Sequence, residues 1–93
     1  MSASSNDTKD TLIEFPAKLS VKAMGLNDDT FQPLIESIVS PHVPGTHAVR
    51  YTQSASSKAK YVSVSAHFMA QNLEQLHAIY ADLRAEKRVL YVL

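Results

Sequence analysis

The chain has 93 residues, of which 45 % are apolar and 19 % charged, and nine acidic side chains balance nine basic ones. That length holds one core and not two, burying roughly 60–65 % of the surface an extended chain would expose, and the composition is that of a folded protein, not of a disordered or fibrous one. A formal net charge of zero argues against general binding to nucleic acid, and the absence of cysteine removes disulfides, thiolate metal sites and thiol nucleophiles together.

Residues 1–10 are dominated by Ser, Asn, Asp and Thr and show neither a secretory h-region nor an Arg-rich transit pattern. They are expected to be a disordered tail before a single domain over residues 11–93. Leu12, Ile13 and Phe15 form an apolar cluster ahead of Pro16, which favours the beginning of a strand. Residues 17–24 then alternate, with Ala17, Leu19, Val21 and Ala23 to one side and Lys18, Ser20, Lys22 and Met24 to the other, the period of a half-buried strand. Gly25 is expected to end that strand in a turn, and Asn27 or Asp28 to cap the helix after it.

Phe31, Leu34, Ile35, Ile38 and Val39 make one apolar helical stripe, with Pro33 tolerable in the first turns and Pro41 stopping the helix near Ser40. A Pro- and Gly-containing connection leads to a second strand around Val49, Arg50, Tyr51 and Thr52. Polar residues 53–60 form a hairpin tip, and residues 61–68 alternate again, with Val62, Val64, Ala66 and Phe68 inward and Tyr61, Ser63, Ser65 and His67 outward. Asn72 and Gln75 read as a capping box opening a second helix with Leu73, Leu76, Ile79, Tyr80 and Leu83 on one face. Residues 88–93 are rich in β-formers and make the fourth strand.

The order β-α-β-β-α-β has a natural solution: an α+β, ferredoxin-like split β-α-β sandwich, with an antiparallel sheet ordered 4-1-3-2 and both helices on one face. In this topology the connections at residues 24–28, 53–60 and 85–88 meet at one end of the sheet. They gather Gly25, Asn27, Ser56, Ser57, Lys58, Lys60, Lys87 and Arg88, a set of cations, hydroxyls and a helix N-terminus suited to a carboxylate or phosphate. A solvated polar loop end is the plainer reading of the same residues.

Other chemistry finds little support. His42, His47, His67 and His77 form no metal-ligand motif, so no metal is expected. No serine sits in a nucleophile elbow or beside an activating base, and with two glycines there is no phosphate loop or dinucleotide fingerprint, so neither a catalytic residue nor a cofactor is expected. No apolar run is long enough for a membrane helix, and a cysteine-free chain suits a reducing cytoplasm.

The uncovered sheet face should carry Lys18, Ser20, Lys22, Tyr61, Ser63, Ser65 and His67, joined by Arg50 and Tyr91 if the register allows. Single-stranded RNA on that face is an alternative to a small ligand, although the first strand offers no stacking aromatic and the third only Tyr61. A symmetric homodimer through that face is a further expectation. An acylphosphatase-like enzyme shares the topology but needs an arginine at the first loop, where residues 24–28 supply none.

Several phrases carry a family resemblance: Glu14, Phe15 and Pro16 before the first strand, Lys22, Ala23, Met24 and Gly25 at its end, Ser56 through Tyr61 leading into Val62, Ser63, Val64 and Ser65, and the terminal Val92 and Leu93. Together they resemble the bacterial YbeD-like family, a domain of unknown function, over nearly all the chain from Leu12 to Leu93. Ala23 stands where Val is common and Ala59 where Gly is common. The resemblance implies a ferredoxin-like fold similar to the amino-acid-sensing ACT regulatory domains, and a lipoate-related regulatory or binding role. It brings no catalytic residues. The ligand contacts it implies are Lys22, Gly25, Ser57, Lys58 and Tyr61, and the partner is a small carboxylate or a protein.

Overall fold

A computed structural model describes residues 13–55 and 58–93, so the expected tail at residues 1–10 lies outside the described residues. Chain order is β1 (Ala17–Leu26), α1 (Phe31–Val39), a 3-10 turn (Ser40–His42), β2 (Val49–Ser54), β3 (Tyr61–Ala70), α2 (Leu73–Ala85) and β4 (Tyr91–Val92). The strands form one antiparallel sheet ordered β2-β3-β1-β4, which is the expected 4-1-3-2 read from the other edge. The fold is the α+β split β-α-β sandwich anticipated from the sequence.

Alternation along the two central strands decides which side is sealed. Val21 and Ala23 of β1 and Val62, Val64, Ala66 and Phe68 of β3 are buried, and they pack with Phe31, Ile35 and Val39 of α1 and Ile79 and Leu83 of α2. Removing such side chains from water is the main favourable term in a domain of this size. Leu34, Ile38, Leu76 and Tyr80 line the margin of this core. Leu73 does not join it: it opens α2 half exposed, at the turn where the helix has not yet settled onto the sheet.

Gly25 does not end β1. The ladder with β3 continues through Gly25 and Val62 to Leu26 and Tyr61, because pairing is fixed by the partner strand and a glycine interrupts it only where the chain must turn. Nor does Asn27 cap α1. Thr30 occupies the cap position, and the Asp28 carboxylate accepts from both the Thr30 backbone N–H (2.7 Å) and its hydroxyl (2.6 Å). Asn27 turns the other way, its backbone N–H donating to the Lys60 carbonyl (2.8 Å) and its Nδ2 to the Ala59 carbonyl (3.1 Å).

The second cap is as expected in part. Asn72 accepts from the Gln75 backbone N–H at 2.8 Å, while the Gln75 side-chain oxygen accepts from Gln71 and not from Asn72 itself. The Gln75 amide also donates to the His42 carbonyl (2.8 Å), and His42 Nε2 lies 2.6 Å from the Asp82 carboxylate. These contacts tie the 3-10 turn after α1 to α2, while the Tyr51 hydroxyl, 3.0 Å from Ser40, ties β2 to the same turn.

The fourth strand is shorter than residues 88–93. Its regular ladder is Tyr91–Val92, flanked by the Leu90 N–H donating to the Met24 carbonyl (2.8 Å) and a reciprocal pair of bonds between Lys22 and Leu93. That register sets Val92 opposite Ala23 on the helix side and Tyr91 opposite Met24 on the bare side.

Candidate functional site

The connections converge at one end of the sheet, and the structure gives Asn27, Asp28, Glu86 and Arg88 partners within the fold. Arg88, from the turn between α2 and β4, donates through Nη2 to the Thr30 hydroxyl (2.8 Å), stands 3.7 Å from Asp28 and covers the Phe31 ring at 5.9 Å. Gly25 lies under that arrangement, where any Cβ would collide with the Phe31 ring and the Arg88 carbonyl. Asn27 is committed to the backbone of the β3 approach. Gly25, Asn27 and Arg88 thus hold this end of the molecule together.

The first loop, which supplies no arginine of its own, does receive Arg88 from the other end of the chain. The guanidinium faces the Asp28 carboxylate, where acyl-phosphate chemistry would require a cation facing the substrate. The Thr30 hydroxyl, and next its N–H, lower the pKa of Asp28; burial works against them, and the Arg88 charge lowers it further. A carboxyl whose pKa falls on folding stabilises the fold above its ordinary value of 3.8, and that contribution is lost as pH drops through the lower folded value. Asp28→Asn is therefore expected to melt below the wild type at neutral pH and to converge on it in acid. Melting curves from about pH 6 down to about pH 2.5 would show this convergence, and a constant gap would contradict it.

Of the remaining candidates, Ser56 and Ser57 lie outside the described residues. Lys58 is exposed at the hairpin tip, and Lys60 is exposed with its ammonium 5.7 Å from the centre of the Tyr61 ring. Lys22 is not at the loop end. It stands opposite Ser65 in mid-sheet, on the face the helices leave bare.

That bare face is where the charge of the sheet is concentrated. The four strands contain Lys18, Lys22 and Arg50 and no carboxylate. Register places all three with Ser20, Tyr61, Ser63, Ser65, His67 and Tyr91 on the open side, so Arg50 and Tyr91 do join this face. The helices carry Glu36, Glu74 and Asp82 against Arg84. A chain neutral overall is thus polarised, cationic on the sheet and acidic on the helices.

At one end of the open face His67 sits between two hydroxyls, Ser20 Oγ at 2.7 Å from Nδ1 and Thr52 Oγ1 at 2.9 Å from Nε2. Beside them is a shallow concavity of about 370 Å³ whose lining includes Lys18, Ser20, Arg50, His67 and Met69. The sequence shows each of these residues but not their grouping, which needs the β1–β3–β2 register. Among the described residues, no group of three or more His, Asp or Glu side chains is placed to hold a metal ion, and no helix is long and apolar enough to cross a membrane.

Fold and faces together define a small α+β domain with one sheet side sealed by helices and the other bare and positively charged. The chain belongs to the DUF493 family, whose description is "Protein of unknown function" and whose model matches residues 10–93; this bears out the YbeD-like resemblance. A UPF0250 protein of Janthinobacterium sp. is 38 % identical over 87 residues, covering 94 % of this chain and 96 % of its own. One from Neisseria meningitidis serogroup C is 36 % identical over 85 residues, covering 91 % and 93 %. These names carry no activity. The solution structure of protein HP0495 from H. pylori matches with a TM-score of 0.67 at 20 % identity, covering 95 % of this chain and 92 % of that one, a likeness in fold alone.

Proposed function

We propose that this is a cytoplasmic, non-catalytic regulatory domain that binds a carboxylate-bearing metabolite on the open face of its sheet, with Lys22 among the contacts. The observation that supports this reading is the separation of charge: the strands present cations and no carboxylate to solvent. A face of that kind attracts an anion and repels the same face of another copy. Lipoate is the metabolite that the YbeD-like resemblance suggests, free or carried by a lipoate-pathway protein.

Thermal-shift and calorimetric titration with lipoate, octanoate and amino acids, each beside its amide, tests the reading. An acid that binds is expected to raise the melting temperature while its amide does not, since a ligand at one hundred times its Kd adds about 2.7 kcal/mol to stability. No response to any acid at millimolar concentration would remove the proposal.

A second reading draws on one placement. Tyr61 and Tyr91 flank β1 on the open face, opposite Leu26 and Met24, with Lys22 close by. Single-stranded RNA stacked on those rings would be retained in a salt-dependent way by the wild type and released by Tyr61→Ala. Absence of retention at low salt would dispose of it. The same charges bear on the expected homodimer: two copies stacked sheet to sheet would set Lys18, Lys22 and Arg50 against the same patch of the other copy, with no strand carboxylate to offset them.

A further inference from the structure

We infer that the open face holds an oxyanion subsite at the end of the sheet remote from Gly25, formed by Lys18, Arg50 and the Ser20 hydroxyl, with His67 as a positioning residue, and that it takes the carboxylate or phosphate head of a small organic acid. The inference rests on the acid-binding reading above and gives it a location. Lys18 on β1 and Arg50 on β2 rise from strands on either side of β3. Neighbouring strands lie about 4.8 Å apart, and Lys18 and Arg50 stand opposite Met69 and His67, two residues apart on β3, so the two stems start about 12 Å apart and their long side chains can close over β3 onto one group. Both line the same concavity, and among the described residues neither has an ion-pair partner.

His67 supplies the third element. Its two ring nitrogens are engaged by Ser20 and Thr52, and a hydroxyl both donates and accepts. When Nδ1 carries the proton it donates to Ser20 Oγ, which frees the Ser20 hydrogen to point at an anion in the concavity. An anion there favours the Nδ1–H tautomer, so His67 aims the serine without touching the ligand. Met69, 40 % exposed beside Lys18, offers an apolar surface for the carbon skeleton attached to the acid head.

Amide and histidine-ring NMR titrations of the full chain with octanoate, and separately with inorganic phosphate, test this; the two arms tell a carboxylate site from a phosphate one. Shifts are expected to centre on Lys18, Ser20, Arg50, His67 and Met69, and the His67 Nδ1 resonance to move toward its protonated position. Lys18→Ala and Arg50→Ala should each weaken binding about tenfold or more, the usual loss for a hydrogen bond to a charged group. Arg84→Ala, on the helix side of the domain, should leave it unchanged. Both cations are exposed, so an unchanged melting temperature confirms that the variants fold. Binding that survives Lys18→Ala with Arg50→Ala, or shifts that centre on Lys58, overturns the subsite while the acid-binding reading stands. A wild type that responds to neither anion overturns the subsite, and one that responds to no acid, lipoate and amino acids included, overturns both. A Nδ1 resonance that stays still during saturation removes His67 from the site.

Discussion

Gly25→Ala is expected to destabilise the domain by on the order of 3 kcal/mol, the upper part of the usual range for overpacking a close-packed core. The added Cβ would stand 2.7 Å from the Arg88 carbonyl oxygen and 2.6 Å from Phe31 Cζ, with Phe31 Cε1 nearer still. One obstacle is backbone, so no rotamer change relieves it; the other is a ring that is 1 % exposed and has no free space to retreat into. The glycine is needed because two segments meet against a central strand, and the backbone there turns nowhere. In a domain of this length each kcal/mol lowers Tm by about 4–8 °C, so a melting curve decides the matter. A Gly25→Ala protein melting with the wild type would mean that the Phe31 and Arg88 approach is looser than described.

Phe31→Ala should cost about 3–5 kcal/mol, a large share of the 5–15 kcal/mol that ordinarily holds a domain folded. Phe31 is the first residue of α1, fills the space over Gly25 and supports the Arg88 guanidinium from below. Its loss opens a cavity where the helix, β1 and the α2–β4 turn converge. Because the ring is also what an alanine at position 25 would strike, the two substitutions are expected to couple. The double variant should be less destabilised than the sum of the single ones, by about 1–2 kcal/mol, leaving only the Arg88 carbonyl to be accommodated. Urea titrations of the four proteins measure that coupling. Strict additivity would show that Phe31 and residue 25 do not share the space.

Much of the architecture was legible because it is periodic. Val21 and Ala23, then Val62, Val64, Ala66 and Phe68, declare a buried strand side by alternation, and Phe31, Ile35 and Val39 declare a helix face by their spacing; both patterns depend only on neighbours in sequence. Leu73 misled because the spacing of its stripe does not say at which turn a helix meets the sheet. Gly25 misled for a related reason. A lone glycine reads as a turn, and only a residue six positions on and a carbonyl near the other end of the chain reveal that it marks a close approach.

The candidate site was less legible because its grouping is long-range. Topology predicts Gly25, Asn27 and Arg88 at one end, and the fold does bring them there, but Asn27 is spent on the backbone at residues 59–60 and Arg88 on Thr30 and Asp28. Arg88 finds Asp28 and Thr30 in a loop that has no arginine in its own sequence. Lys18, Arg50 and His67 carry no motif at all. They become neighbours only when Ser20, His67 and Arg50 fall into one row across three strands, and a one-residue slip would point them into the core.

The central ladder also bears on how fast the chain reaches this state. β1 and β3 pair along ten rungs, and every rung, from Leu26 with Tyr61 to Ala17 with Ala70, joins positions separated by α1 and the whole of β2. A large loop must therefore close before the first of these rungs returns any stability. β4 is the short edge strand and is paired in the sheet only with β1. Folding should accordingly be slower than in a helical bundle of equal length, and the last strand should be the first to let go under strain.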